Sequence, residues 1–171
     1  MAKNTTSTDQ KKEEKLQDEK YIHASLKTFA ESTATYNIHK YSPLADDAAG
    51  FAIIKIIQQG ISFKEFNKLF KDFEFSDLAW SKILGISPKT FDRYRKDNTS
   101  FDTLQSDFIL QVLRIFNYGT EVFGSTEKFT RWLNNPNTAL NKAKPIEIID
   151  SSLGINMVYS LIGRIDYGVY S

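Results

Sequence analysis

Four polar side chains in the middle of the chain share a helical spacing and the chemistry needed to bind a nucleic acid: Lys89, Thr90, Arg93 and Lys96. Residues three and four apart lie on one face of a helix, so these groups would point outward together. We expect Arg93 to contact a base, because its planar guanidinium suits guanine, and Lys89 and Lys96 to contact phosphates. Asp92 departs from this pattern, since a carboxylate on that face would repel phosphate.

The rest of the sequence offers few groups for catalysis or metal binding. The chain has no cysteine, which excludes disulfides and thiolate chemistry and suits a reducing compartment. Its two histidines, His23 and His39, lie in polar surroundings and do not form a metal-binding pattern. There is no glycine-rich phosphate loop and no nucleophile elbow, and the acidic pair Glu147 and Asp150 is typical of a solvated helix face. We therefore expect no enzyme, no cofactor and no metal.

Composition and charge restrict the partners further. Hydrophobic residues make up 41% of the chain and charged residues 25%, with a formal net charge of +1. Any nucleic-acid binding must therefore come from a local basic patch rather than from the whole surface. No apolar run approaches the roughly 18 residues of a membrane span, and the N-terminus lacks the apolar segment of a secretory signal. A cytoplasmic protein without a membrane partner is expected.

Capping residues and glycine stops predict an all-α fold that would position the basic face. The helical pattern begins at Asp46 or Asp47 and stops at Gly60. No strand-like alternation is present. Further helices are predicted to open near Ser62, Ser76, Ser87–Pro88, Asp102 or Thr103, Ser125, Pro145, and Ser152 or Gly154. Residues at helical spacing that are predicted to face a core include Phe51, Ile54, Ile57, Leu78, Leu104, Val112, Phe116, Ile155, Val158 and Ile165.

The segment Asp77–Lys96 resembles the helix-turn-helix of Xre-type regulators. Ser81 is small enough for two helices to pack closely, and Gly85 can take the positive φ that the turn requires. Apolar residues flank the turn and recur one and two helical turns later: Leu84, Ile86, Phe91 and Tyr94. The plainer alternative is a helical hairpin with a solvated charged face.

The chain divides into three regions. Residues 1–45 are predicted to be a disordered or weakly helical extension, because residues 1–20 are almost wholly polar. Residues 46–100 form a helix-turn-helix domain for DNA binding and dimerisation, and residues 101–171 form a small helical module. The division falls near residues 99–103, although the long helix that follows could serve both halves. The aromatic-rich stretch Phe51–Phe73 is a candidate dimer surface, but plain core packing is favoured there.

The C-terminal module carries an ordered series of motifs: Phe123-Gly124, Trp132-Leu133, Pro136-Asn137-Thr138-Ala139-Leu140, Pro145, Gly154 and Arg164-Ile165-Asp166-Tyr167-Gly168. This order resembles the toxin-binding half of the Xre/MbcA/ParS family of bacterial antitoxins. The departure is Asn141-Lys142-Ala143, where the family often carries a glycine pair. The resemblance covers about residues 50–171 and is strongest from Val122 onward.

The resemblance implies a function. Antitoxins of this kind pair with a RES-domain toxin that consumes NAD, block its active site through the C-terminal module, and repress their own operon through the helix-turn-helix. The implied partners are therefore that toxin, operator DNA and a second copy of the chain, as a homodimer within a larger complex. The implied toxin-binding residues are Trp132, Asn137, Leu140, Arg164, Tyr167, Gly168, Val169, Tyr170 and Ser171.

Single residues of that set have simpler explanations. Core packing is favoured for Trp132, and Asn137 is suited to capping a turn. The last residues stand out because tyrosines and a valine replace the polar composition usual at a terminus, and Tyr and Arg commonly anchor interfaces. The tail Arg164–Ser171 is therefore predicted to fill the NAD cleft of the toxin, with tyrosine rings where cofactor rings would lie.

Two other functions stay open. The chain could be a stand-alone helix-turn-helix transcriptional regulator whose C-terminal half binds a small molecule or itself. It could also be an adaptor that has lost DNA binding, as the carboxylate of Asp92 on the basic face would allow.

Overall fold

A computed structural model describes residues 47–169 of the chain together with residues 20 and 24. The chain forms two compact units, Met1–Ile56 and Ile57–Ser171. The predictions for the N-terminal extension, including those for His23 and His39, lie outside the described residues. The same holds for Tyr170 and Ser171 at the other end of the chain.

The all-α prediction is confirmed. Over residues 47–169 the regular elements are helices and no strand is present, although one isolated antiparallel bridge joins Ser62 and Ser100. The helices are α1 (Asp47–Gln59), α2 (Phe63–Leu69), α3 (Asp77–Ile83), α4 (Pro88–Asp97), α5 (Thr103–Phe123), α6 (Thr126–Leu133), a 3₁₀ turn (Thr138–Leu140), α7 (Pro145–Ile148) and α8 (Ser152–Asp166).

Local capping chemistry explains where these helices begin. A capping box opens α2, where the Ser62 N–H donates to Glu65 Oε2 at 2.9 Å, and a second box joins Asp102 to the start of α5. The last helix begins at Ser152, one of its two predicted starts, and its cap is Ser151, whose side chain accepts a hydrogen bond from the Gly154 N–H at 3.2 Å. The predicted caps that the structure confirms are Ser62, Ser76, Ser87, Asp102 and Ser125.

Aromatic rings join the helix-turn-helix to the long helix α5. Phe116 of α5 is fully buried. Its ring centroid lies 5.8 Å from that of Trp80 in α3 and 5.7 Å from that of Phe129 in α6. Three further rings surround it at 4.5 to 5.7 Å: Phe70, Phe73 and Phe75. Packed rings at these separations stabilise the fold beyond the effect of their buried area. Because some of them precede α5 in the sequence and Phe129 follows it, α5 packs against both parts of the chain.

The C-terminal helices pack closely because glycines remove side chains at two contacts. A Cβ on Gly119 would lie 2.2 Å from the ring of Phe129, and a Cβ on Gly154 would lie 1.6 Å from the carbonyl oxygen of Ile148. These contacts bring α6 against α5 and the end of α7 against the start of α8. The predicted core stripe of α8 is confirmed for Ile155 and Val158, which are fully buried.

Some predicted core positions were wrong. The exposed fraction is 82% for Leu104, 66% for Phe51 and 54% for Leu78, and Ile54 is also exposed. Leu104 lies in the first turn of α5, on the same side as the fully buried Ile115, which is eleven residues later and about 20° away around the helix at roughly 100° per residue. Its exposure therefore follows from its place at the start of the helix and not from its helical phase.

Candidate functional site

The turn between α3 and α4 has the geometry of a helix-turn-helix. Gly85 has a φ of 64°, the left-handed conformation that glycine adopts most readily. The Ile86 N–H donates to the carbonyl oxygen of Ser81 at 2.9 Å, and the Ser81 side chain is buried where the two helices meet. The small residue and the glycine therefore fulfil the roles predicted for them.

The outer face of α4 carries all four residues predicted to bind DNA. Lys89, Arg93 and Lys96 are exposed to solvent. Thr90 is half-buried and belongs to the helix cap, since its backbone N–H donates to Ser87 Oγ at 3.0 Å and its hydroxyl lies 2.8 Å from the same oxygen. Three cations thus lie exposed to solvent on this face. The hydroxyl of Thr90, in contrast, already has a hydrogen-bond partner.

Asp92 is neutralised by an ion-pair network. Its Oδ1 lies 2.5 Å from Nη2 of Arg95, and its Oδ2 lies 2.8 Å from Nζ of Lys96. Arg95 also pairs with Asp77 in the first turn of α3. Hydrogen bonds from Lys96 and then Arg95 lower the pKa of Asp92. Sequence reasoning missed Arg95 and Asp77; the spacing of Asp92 and Arg95 hinted at the first pair, but Asp77 depends on how α3 packs.

A tight turn precedes the candidate binding groove. The side chain of Asn137 accepts from the Ala139 N–H at 2.9 Å, and its backbone carbonyl accepts from the Lys142 N–H at 2.8 Å. Asn141 and Lys142 have φ values of 53° and 67°. These are the positions where the antitoxin resemblance leads one to expect glycines, so the departure in sequence keeps a left-handed backbone.

Two adjoining depressions lie between this turn and α8. The larger holds about 370 Å³ and is lined by Phe123, Trp132, Asn137, Thr138, Ala139, Leu161, Arg164, Ile165 and Val169. The smaller holds about 260 Å³ and is lined by Ala139, Leu140, Asn156, Met157, Ser160, Leu161 and Arg164. They share Ala139, Leu161 and Arg164, and together they form what is called the C-terminal groove below. The predicted residues Trp132, Asn137, Leu140, Arg164 and Val169 all line it, whereas Tyr167 and Gly168 line neither depression.

Trp132 serves the core and the groove at once. Its ring stacks against Phe129 at 5.9 Å and lies 5.1 Å from the ring of Phe123. The side chain is half-buried, and it forms part of the groove wall. The favoured core interpretation and the proposed binding role are therefore compatible.

The outer face of α8 extends the groove with residues that sequence reasoning missed. Leu153 and Met157 have exposed fractions of 73% and 46%, and they lie one turn apart. Ser160 and Arg164 continue this face at helical spacing. One signal in the sequence could have identified these residues. They are large apolar side chains that lie outside the buried stripe formed by Ile155 and its neighbours. Exposed apolar residues beside a groove are typical of interaction sites.

A polar and aromatic cluster holds the other side of α8. The Tyr118 hydroxyl donates to Asp166 Oδ2 at 3.0 Å, and the rings of Tyr118 and Tyr159 stack at 5.0 Å. The guanidinium carbon of Arg114 lies 4.8 Å from the centre of the Tyr159 ring. Burial raises the pKa of Tyr159 to about 12 and also raises that of Tyr118. The cluster fixes the last turn of α8 to α5.

The chain turns back at the end of α8. Gly168 has a φ of 67°, and the Val169 N–H donates to the carbonyl oxygen of Arg164 at 2.8 Å. This closure brings Val169 to the groove wall, while the side chain of Tyr167 is exposed. Of the predicted tail residues, Tyr170 and Ser171 lie outside the described part of the chain.

Across residues 47–169, no cluster of three acidic or histidine side chains could hold a metal ion. None of the helices described has both the length and the apolar character needed to span a membrane.

Comparison with known families decides the class of protein. Residues 52–114 match the antitoxin Xre-like helix-turn-helix domain, and residues 119–168 match the antitoxin Xre/MbcA/ParS C-terminal toxin-binding domain. The chain is an antitoxin of the Xre/MbcA/ParS type. The antitoxin families combine a helix-turn-helix with a toxin-binding domain and are not enzymes, in agreement with the expectation from sequence. The two matched ranges meet within α5, so this helix contributes to both domains.

Two curated relatives are similar to the antitoxin. Antitoxin Xre of Photorhabdus laumondii is 28% identical over 91 residues, which are 53% of this chain and 62% of the relative. Antitoxin Xre of Yersinia enterocolitica is 23% identical over 123 residues, which are 71% of this chain and 83% of the relative. The chain therefore spans less than two thirds of the Photorhabdus protein and most of the Yersinia protein.

Proposed function

We propose that this antitoxin neutralises an NAD-consuming RES-domain toxin by covering the active site of the toxin with its C-terminal module. The observation that carries the proposal is the C-terminal groove. It brings together residues from two separate stretches of the sequence, Trp132 and Asn137 with Arg164 and Val169, and the sequence predicts a toxin-binding role for each of them. The choice of a RES-domain partner rests on the resemblance of the C-terminal motifs.

The chemistry of the groove suits a protein partner. Its walls combine apolar side chains such as Phe123, Trp132 and Leu161, which contribute free energy when a partner covers them, with polar groups such as Asn137 and Asn156. Arg164 supplies a planar cation between the two depressions, and arginine beside aromatic groups is a common interface anchor. Val169 lies at the groove wall, and we propose that the tail from Tyr167 to Ser171 enters the NAD cleft of the toxin.

Co-expression with the protein encoded beside this antitoxin tests the proposal. We expect the neighbour alone to arrest growth and deplete NAD, and the antitoxin to restore growth and co-purify with it. A truncated chain lacking residues 167–171 should bind more weakly and fail to restore NAD. Full neutralisation by the truncated chain would exclude the tail as the blocking element. A harmless neighbour that does not bind would favour the alternative of a stand-alone helix-turn-helix regulator.

We further propose that the antitoxin represses its own operon through α4, as a homodimer within a larger toxin–antitoxin complex in the cytoplasm. One helix-turn-helix makes too few contacts for tight binding, so two copies would engage two half-sites. Exposed Lys89, Arg93 and Lys96 support this proposal. Binding to the upstream DNA should weaken about 5- to 150-fold in Arg93→Ala, with relaxed preference at one base pair. Equal binding of wild type and variant would exclude Arg93 as a base contact.

A further inference from the structure

We propose that Asp92 acts as an internal substitute for a DNA phosphate. In the unbound antitoxin it holds Arg95 and Lys96 in ion pairs, which reduces binding to random DNA and leaves recognition to Lys89 and Arg93. The inference rests on the proposed DNA binding by α4. It assigns a specificity-determining role to a residue whose charge, taken alone, opposes DNA binding.

The geometry uses both oxygens of one carboxylate. Asp92 Oδ1 accepts from Arg95 at 2.5 Å and Oδ2 accepts from Lys96 at 2.8 Å. Among the four cations of α4, these two belong to the network in the described structure, whereas Lys89 and Arg93 lie outside it. The helix thus presents two groups of cations that differ in their partners.

A carboxylate and a phosphate compete for the same donors. Both are anionic acceptors that arginine and lysine bind through charge-assisted hydrogen bonds. A DNA phosphate would have to displace Asp92 before it could pair with Arg95 or Lys96. Because Arg95 also pairs with Asp77 of α3, its guanidinium is held from two sides. Binding to random DNA depends on the number of cations available to phosphates, so withdrawing two of them weakens it most.

The ion pairs of the network are weak enough for a DNA phosphate to displace Asp92. The side chains of Arg95 and Lys96 have exposed fractions of 47% and 71%. Ion pairs with this exposure contribute little net stability and are screened by salt. Correctly placed operator phosphates could therefore capture these cations after Arg93 has engaged its base, whereas random DNA lacks that first contact.

Three single substitutions separate this role from simple charge removal. Asp92→Asn removes the carboxylate that holds the cations. Asp97→Asn is the matched control, because it removes the same charge from the exposed end of α4 without belonging to the network. Asp92→Glu keeps a carboxylate within reach of Lys96 at i+4 and should behave as wild type. Thermal melting of each full-length variant verifies that it is folded.

The readout is fluorescence anisotropy of a random-sequence duplex and of the upstream operon fragment over a series of KCl concentrations. For Asp92→Asn we expect several-fold tighter binding to random DNA and a smaller preference for the operon fragment. The slope of log affinity against log salt should steepen by about 0.9 for each cation that gains a phosphate. Asp97→Asn should keep the wild-type slope.

Three outcomes would contradict the inference, and each is distinct. An unchanged slope in Asp92→Asn would show that Arg95 and Lys96 are not released. Equal changes in Asp92→Asn and Asp97→Asn would reduce the effect to general charge. If the wild type and every variant bound neither duplex, the proposed DNA-binding function itself would fail, and this inference would fail with it.

Discussion

The outer face of α4 and the C-terminal groove differ in shape and chemistry. The α4 face is a helix surface whose cations stand in solvent and partly pair with acidic neighbours. The groove is concave, with walls of Phe123, Trp132 and Leu161 and a cation, Arg164, between its two depressions. One surface is suited to an extended polyanion, and the other is suited to a protein that can bury apolar area.

The difference implies two sources of binding free energy in one chain. At α4 the gain would come from replacing counterions around phosphates, which depends steeply on salt. At the groove it would come from removing apolar surface from water, which depends on salt only weakly. The two activities should therefore respond differently to the same perturbation.

Salt concentration should produce the largest divergence between the two surfaces. A dimer that contacts roughly 6–10 phosphates loses about 10³- to 10⁵-fold in DNA affinity between about 50 and 200 mM salt. Toxin affinity should fall by less than about tenfold over that range, because buried apolar contacts are not screened. Titration of each partner at several salt concentrations measures both slopes. Parallel slopes would mean that the groove binds mainly through charge.

Charge reversal at Arg164 should produce the second-largest difference between toxin binding and DNA binding. We expect Arg164→Glu to weaken toxin binding by about 100-fold, since a buried interface cation is replaced by an unpaired anion. DNA affinity should stay unchanged. Lys128→Glu is the matched control, because Lys128 is exposed on α6 and lines neither depression. Equal losses in both variants would point to long-range charge rather than to the groove.

Removing the Tyr118 hydroxyl, which helps to hold α8 against α5, should have a moderate effect on stability and on toxin binding. Tyr118→Phe loses the hydrogen bond to Asp166 and keeps the stacked ring. We expect the free energy of unfolding to fall by about 1 kcal/mol and toxin binding to weaken several-fold, while DNA affinity is retained. Denaturant unfolding and toxin titration measure the two effects. Tyr159→Phe, which removes a hydroxyl from the same ring stack but leaves the Tyr118–Asp166 bond intact, should preserve toxin affinity. An equal loss there would show that the effect is not specific to that hydrogen bond.

Alkaline pH should produce the smallest effect, which is a decline in the free energy of unfolding. Burial raises the pKa of Tyr159 from 10.0 to about 12, so the folded state favours the neutral phenol. The resulting contribution to stability is complete below pH 10 and is lost as the pH rises toward 12, because the unfolded chain releases this proton first. Urea unfolding at increasing pH should show the decline, and Tyr159→Phe should make it shallower. An identical decline in the variant would assign it to other groups.

Local signals in the sequence predicted the elements better than their mutual contacts. Ser62, Asp102 and Gly85 act through neighbouring backbone groups, so their roles were legible from adjacent residues. Helical spacing placed Leu104 on the same side of α5 as the buried Ile115, but spacing does not show that the first turn of the helix is left uncovered. The proposed domain division near residues 99–103 stays a prediction.

The candidate sites also contain some features that local spacing predicted and others that depend on how the helices pack. The basic residues of α4 share one helix, so their common face followed from spacing. The ion pair between Asp77 and Arg95 needed the packing of α3 on α4, which no spacing rule supplies. The groove residues were named from a family resemblance, but the way Asn137 meets Arg164 and Val169 depends on the fold of the whole module.

The central position of Phe116 has a consequence for how this antitoxin is degraded. One ring, fully buried, contacts both Trp80 in α3, next to α4, and Phe129 beneath the groove. Loss of either neighbour would open the core of the other, so the described part from residue 57 onward should melt in a single cooperative step. A protease that captured the unfolded chain would then end the proposed repression and the proposed toxin neutralisation together, with the same half-life.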